Sequence, residues 1–239
     1  MRKSVTGKES DNTPSSRVGA VIVAAGSSER MKGTDKIFAP LLGQPLLAHT
    51  IGVFQRCPSI YQIVIVLSKD SLKQGRRLVE EENWSKVTGV YPGGRYRQES
   101  VRSGLGALDN CRWVAIHDGA RPCLPSDLID NGLKEASDSG AAVAAVPTKD
   151  TVKLVTDGII RETPDRSCLW LAQTPQVFLF DIIARAYQMT GKKVTDDASL
   201  VEALGYKVRV YMGSYENIKV TTPEDLALAE LILKRREMV

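Results

Sequence analysis

The run Val18-Gly-Ala-Val-Ile-Val-Ala-Ala-Gly-Ser-Ser-Glu-Arg-Met31, with Lys36 just beyond it, constrains this chain more than any other stretch. Residues 20–25 are continuously apolar, the pattern of a strand buried on both faces in the middle of a parallel sheet. The run empties into Gly26-Ser27-Ser28, which has almost no side-chain bulk, and then meets Arg30, Lys32 and Lys36. Small residues at the carboxyl end of a buried strand let a ligand approach the backbone, and the cations that follow suit a polyphosphate. An ordinary first β–α turn with solvated basic residues has the same spacing.

Two other phosphate loops do not fit. A dinucleotide fingerprint needs G-x-G-x-x-G after the strand, and here Ser28 and Met31 stand where the later glycines belong. The second strand ends Leu67-Ser68-Lys69 rather than in an acidic residue. No stretch supplies G-x-x-x-x-G-K-[ST], so a Walker-type ATPase is excluded as well.

A chain of 239 residues has room for one substantial α/β domain or two small ones, and 43% apolar with 25% charged residues suits an ordinary globule. The net charge of +4 fits an anionic small molecule, while no basic block with interleaved aromatics points to nucleic acid. Cys57, Cys111, Cys123 and Cys168 form no C-x-x-C, and with only His49 and His117 beside them no protein metal site is expected. Isolated thiols suit a reducing cytoplasm. Residues 1–17 are polar, without the apolar core of a secretory signal, and read as a disordered tail. No run approaches a membrane span.

Along the chain, helices are expected at 45–55, 71–82, 101–108 and 125–139, with strands at 63–67, 87–91, 113–117 and 141–146. Such alternation implies right-handed crossovers, a mainly parallel Rossmann-like sheet flanked by helices, and a ligand site outside the strands' carboxyl ends. Three loops fall at such ends: the Gly26 loop, Pro92-Gly93-Gly94-Arg95-Tyr96-Arg97-Gln98-Glu99-Ser100, and Asp118-Gly119-Ala120-Arg121-Pro122. After Pro147 the rhythm breaks. Residues 151–155 and 159–163 flank Thr156-Asp157-Gly158 as a β-hairpin, which must pack on its own domain or on a second subunit. Helices at 181–189 and from the Thr195-Asp196-Asp197 cap to 204 follow, with strands at 207–211 and 217–220 and a last helix opened by Thr222-Pro223-Glu224-Asp225. One domain over 18–239, with a projecting arm at 148–170, is the simplest account.

With these loops in place, the chain resembles the nucleotidyltransferases that activate sugar phosphates and, among them, the 2-C-methyl-D-erythritol 4-phosphate cytidylyltransferases of the non-mevalonate isoprenoid pathway. The resemblance spans residues 18–236. It rests on Ala24-Ala-Gly-Ser-Ser-Glu-Arg-Met31, Gly93-Gly94 with Arg97 and Ser100, His117-Asp-Gly-Ala-Arg-Pro122, Asp150-Thr151, Asp165-Arg166, Thr174-Pro-Gln176, Thr195-Asp196 and Asn217-Ile-Lys-Val-Thr-Thr-Pro-Glu-Asp-Leu226. The departures lie in the first loop, where Ser28 replaces a glycine common in the family and Asp35-Lys36-Ile37 replaces Pro-Lys-Gln.

The resemblance implies that CTP and a sugar-alcohol phosphate, carried with Mg2+, give a CDP-alcohol and pyrophosphate. It assigns Arg30 and Lys36 to the transition state and the backbone of Ala24, Ala25 and Gly26 to CTP. Gly93, Gly94, Arg97 and Ser100 would recognise the cytosine end, although Gly93-Gly94 also reads as a plain turn. Asp118 would sit beside the ribose, or simply pair with Arg121. It is the only carboxylate considered near the magnesium and is not assigned as a ligand. Thr151, Arg166 and Lys219 would hold the second substrate, with Arg121 nearby. Thr174 and Thr195 have cheaper explanations as turn and cap hydroxyls, and both histidines read as structural. The family's arm crosses to a second chain, which implies a homodimer. The same motifs also suit D-ribitol 5-phosphate cytidylyltransferases, and an inactive CTP-binding module is the reading from a different class.

Overall fold

In this computed structural model, residues 17–26, 36–189 and 194–238 are described. The tail at 1–16 and the loop cations Arg30 and Lys32 lie outside the described residues. Arg17, the last residue of the expected tail, is described, its guanidinium stacked over the Tyr61 ring at 4.3 Å.

The apolar run of the first paragraph forms β1 (Val18–Ala24), buried at every position. It pairs in parallel with β4 (Ile60–Leu67) on one side and β6 (Trp113–Asp118) on the other. A short antiparallel pair, β2 (Pro40–Leu41) and β3 (Gln44–Pro45), precedes helix α1 (Leu46–Arg56). Beyond β4 lie α2 (Leu72–Glu82), β5 (Val87–Pro92) and α3 (Arg97–Leu105). Beyond β6 lie α4 (Asp127–Ser139), β7 (Ala141–Pro147), the hairpin of β8 (Leu154–Thr156) and β9 (Ile159–Glu162), and β10 (Trp170–Leu179). The chain closes with α5 (Phe180–Met189), α6 (Ala198–Ala203), β11 (Arg209–Met212) and α7 (Pro223–Glu237). The main sheet has seven strands in the order β11-β7-β10-β6-β1-β4-β5, parallel apart from β10.

Alternate residues of β1 feed the two faces. Ala20 and Ile22 pack with Leu47, Ile51 and Phe54 of α1 and Ile129 of α4, whereas Val21 and Val23 pack with Val101 and Leu105 of α3 and Ile183 of α5. Each such aliphatic side chain, wholly buried, contributes about 1.5–3 kcal/mol. With helices on both faces, no strand near the middle needs a polar side, which is why β1 reads as a continuous apolar run. A third cluster seats α7 through Ala229 and Ile232 against Leu41, Leu46, Cys123 and Val220.

Several local expectations change. Ser71 does not cap α2 with its side chain; Ser68 accepts the Ser71 N–H instead and caps an intervening 3-10 turn at Lys69–Ser71. Helix α3 begins at Arg97, four residues ahead of the expected start, because the Glu99 carboxylate accepts the Tyr96 N–H and closes the first turn. Residues 217–220 form no strand. Their polar groups go to β10 and to the loop after β6, with the Asn217 amide donating to the Thr174 carbonyl at 2.7 Å and the Val220 N–H to the Ala120 carbonyl at 2.8 Å. Strand β10 was legible only as the segment between the arm and α5. It runs antiparallel between β6 and β7. The hairpin forms as expected, with Asp157 and Gly158 both at positive φ in the turn.

Candidate functional site

A cavity of about 160 Å3 opens where the carboxyl ends of β1 and β6 meet the loop after β5. It is the crevice that an open parallel sheet offers where its crossovers diverge to either side of β1. Of the sequence-derived candidates, Ala24, Ala25, Gly26, Lys36, Gly94, Arg97, Ser100, Asp118 and Lys219 line it. Arg95 and Tyr96 also line it and were not singled out in advance, although they stand in the same glycine loop. A larger open groove of about 960 Å3 between α1, the loop before α4 and the end of α7 contains none of the candidates.

Close packing explains one glycine. A Cβ on Gly93 would fall 2.3 Å from the Ala25 Cβ and 2.6 Å from Ser100 Oγ. The β1 and β5 loops therefore touch through a position that only glycine fills without displacing them. Gly93 itself is held by its N–H on the Leu67 carbonyl at 2.7 Å. The next N–H, that of Gly94, donates to Ser100 Oγ at 3.3 Å.

Asp118 is the electrostatic centre. Its Oδ1 accepts from Arg97 Nε at 3.1 Å, its Oδ2 lies 2.8 Å from Lys219 Nζ, and Arg121 Nε lies 3.7 Å from Oδ2. Burial by itself would raise the carboxyl pKa, but Arg97, then Lys219 and Arg121, outweigh it and hold the group well below the usual carboxylate range. Burial likewise works against the charge on Arg97. Asp197 and then Asp118 overcome that penalty and keep the guanidinium more firmly protonated than usual. For Arg121 burial dominates over Asp118 and lowers its pKa. Its Nη1 donates to the Asn217 carbonyl at 2.7 Å, behind the cavity wall.

His117 and Thr174 stand behind Asp118. The Asp118 N–H donates to Thr174 Oγ1 at 3.1 Å, and because the Arg121 carbonyl beside His117 Nε2 can only accept, the threonine proton goes to His117 Nδ1 at 3.0 Å. The imidazole then carries its proton on Nε2, facing the Arg121 carbonyl at 3.3 Å. Burial pushes the His117 pKa down to about 3, against the attraction of Asp118 and with help from Arg121. The ring, 5.2 Å from Phe54 between centroids, is a neutral strut. Thr174 is buried, with its hydroxyl committed to this pair. His49 holds the Leu41 carbonyl at 2.7 Å.

The remaining candidates lie apart from the cavity of their own chain. Thr151 and Arg166 are exposed on the arm, with Arg166 Nη1 donating to the Lys149 carbonyl at 2.8 Å. Thr195 is exposed ahead of α6, whose first turn is capped by Asp196 through the Ser199 N–H at 3.1 Å. Arg30 lies outside the described residues. Among the described residues, no three His, Cys, Asp or Glu side chains gather into a metal cage. Asp118 is, among the described residues, the one carboxylate lining the cavity, and it is already held by three cations.

Comparison with known proteins agrees with this architecture. Residues 18–235 match the family model described as 2-C-methyl-D-erythritol 4-phosphate cytidylyltransferase. A protein of that name from Dehalococcoides mccartyi (strain CBDB1) is 53% identical over 220 residues, covering 92% of this chain and 97% of the relative. Another, from Alkaliphilus oremlandii, is 43% identical over 228 residues, covering 92% and 97%. Among solved structures, 4-diphosphocytidyl-2C-methyl-D-erythritol synthase from Anaerococcus prevotii superimposes with a TM-score of 0.82 at 31% identity, over 92% of this chain and 97% of that one. The Thermus thermophilus cytidylyltransferase gives 0.75 at 29% identity, over 90% and 98%. The fold and the matched length together assign the chain to the 2-C-methyl-D-erythritol 4-phosphate cytidylyltransferase family.

Proposed function

We propose that this chain transfers the cytidylyl group of CTP to 2-C-methyl-D-erythritol 4-phosphate, forming 4-CDP-2-C-methyl-D-erythritol and pyrophosphate. One observation carries the chemistry beyond family membership: Lys36, Arg97 and Lys219 converge with the Ala24–Gly26 backbone on one cavity at the end of β1. A phosphate oxygen of the second substrate attacks the α-phosphorus of CTP, the bond from that phosphorus to the bridging oxygen breaks, and pyrophosphate leaves. The nucleophile is already anionic near neutral pH, since the second pKa of a phosphate monoester is about 6. No general base is needed, and His117, buried with both ring nitrogens committed to Thr174 and the Arg121 carbonyl, supplies none. What the protein must provide is proximity for two polyanions and stabilisation of charge on the α-phosphate.

In this reading Lys36 and Arg30 neutralise the phosphates, Gly94, Arg97 and Ser100 frame the base end, and Asp118 faces the ribose. Lys219, with Arg121 behind it, holds the polyol phosphate. Thr174 acts indirectly by fixing Asp118, and Thr195 lies at the rim. Magnesium arrives on CTP, whose triphosphate oxygens are the hard donors it prefers. When bound it offsets phosphate charge.

The arm supplies the rest from a second copy. Leu154, Val155, Ile159 and Ile160 are between 49% and 59% exposed on the hairpin, an apolar surface that calls for a partner. Arg166 and Thr151 stand on the same arm, outside their own cavity, and would serve the neighbour's site. The four free cysteines fit a reducing cytoplasm.

The test is pyrophosphate release with CTP and magnesium, comparing 2-C-methyl-D-erythritol 4-phosphate with D-ribitol 5-phosphate. Preference for the erythritol compound is expected. Preference for the ribitol compound would move the acceptor and leave the mechanism, and no release with either would overturn the activity.

A further inference from the structure

Asp197 is fully buried, heads α6, and belongs to no motif that the proposed reaction uses. A buried carboxylate is costly unless it is paired, so its partners indicate what it is for. It does not cap its own helix, a task that falls to Asp196. Instead its Oδ1 accepts from Arg97 Nη1 at 2.9 Å and from the Tyr187 hydroxyl at 2.5 Å. Arg97 Nη2 lies 2.8 Å from Oδ2, a close ion contact rather than a well-aligned hydrogen bond. The Asp197 backbone is fixed as well, its N–H donating to Gln176 Oε1 at 3.1 Å.

The Arg97 guanidinium therefore lies between two carboxylates. One edge, through Nε, holds Asp118 at the cavity, while the Nη atoms are anchored in the core by Asp197. Without the core anchor the pull of Asp118 is opposed by no carboxylate on the far side of the guanidinium. The guanidinium would swing towards Oδ1 of that carboxylate and out of the wall at the base end, while Lys219 keeps its place 2.8 Å from Oδ2. The anchored position keeps Arg97 in the cavity wall beside Gly94 and Tyr96.

We infer that Asp197, supported by the Tyr187 hydroxyl, is a positioning residue for the nucleotide pocket, locking Arg97 in the geometry that shapes the base end. This rests on the reading of the cavity as a CTP site. Losing one charge-assisted contact of this kind is expected to weaken CTP about tenfold.

The experiment uses the full chain with Asp197→Asn, Asp197→Glu, Tyr187→Phe and Arg97→Ala, together with the double variant of Asp197→Asn in Arg97→Ala. CTP binding is measured by calorimetry with magnesium, alongside the KM of each substrate. Asp197→Asn should raise the Kd and KM for CTP about tenfold while the KM for the polyol phosphate moves less than twofold. Glutamate should restore part of the loss. In the Arg97→Ala background the same substitution should add less than about twofold, because its effect passes through Arg97. Where Asp197→Asn does not fold, Tyr187→Phe carries the test with a rise of about threefold in the Kd for CTP, measured well below the Tm of that variant. Additive losses with and without Arg97, or equal rises in both KM values, would overturn the inference. A parent chain that binds CTP but releases no pyrophosphate would overturn the proposed activity alone, since the binding cycle stays readable. A parent chain that binds no CTP would overturn both.

Discussion

His117 is one of only two histidines, and its neutral state has a measurable signature. Its folded pKa of about 3 lies below the ordinary 6.5, so between those values the unfolded chain binds a proton that the folded chain refuses. The stability it contributes is therefore complete above about pH 6.5 and is lost as the pH falls towards 3. Urea unfolding at pH 7 and pH 5 should show a loss of about 2 kcal/mol, in a window above the carboxylate range, and His117→Gln should flatten that difference. An unchanged slope in the variant would remove His117 as its source. Lys219 makes a contrasting case. It is 42% exposed, and Arg97 and Arg121 would still hold Asp118, so Lys219→Ala should lower Tm only modestly. Under the proposed reaction the same variant should lower kcat/KM by about 10²–10³, the scale for losing a preorganised charge at the reacting phosphate. Retained activity would show that its ion pair with Asp118 is only structural.

Helix α3 shows how an element brings the loops together. It crosses β1 at Gly104, where a Cβ would fall 2.3 Å from Val21 Cγ1 and 3.1 Å from Val66 Cγ2. Both neighbours are stiff β-branched side chains in the middle of the sheet and cannot swing away as a flexible end could. Gly104→Ala should therefore destabilise the fold by about 1–3 kcal/mol through overpacking, despite the gain in helix propensity. Denaturant midpoints settle the sign, and a stabilised variant would mean that α3 can lift from β1 at little cost. The helix also carries Arg97 in its first turn, so a lifted α3 would move the pocket wall as well. Periodicity showed that a helix lay here. Its start at Arg97 depends on a cap supplied by Glu99, and the spacing of apolar residues carries no record of that bond.

At the scale of the whole molecule, the arm tests the proposed second subunit. Replacing Val155 and Ile160 with serine removes exposed apolar surface and no core contact, so the folded monomer should persist while sedimentation shifts from dimer towards monomer at micromolar concentration. If the arm completes the neighbour's site, kcat/KM should fall with it, and full activity in a monomer would refute that sharing. The sequence by itself determined the α/β class, the central buried strand, the hairpin and the three site loops. Each of these is written locally, as an unbroken apolar run, a tight-turn signal, or small residues after a strand. The tertiary structure alone decided that β10 runs antiparallel through the middle of the sheet, that residues 217–220 make isolated bonds to β10 and the loop after β6 instead of pairing as a strand, and that Thr174 faces His117 rather than solvent. It alone brought Asp197 to Arg97, 100 positions away in sequence. No local pattern encodes such a pairing, because the cost that demands it, a carboxylate removed from water, arises only when the two segments close around it.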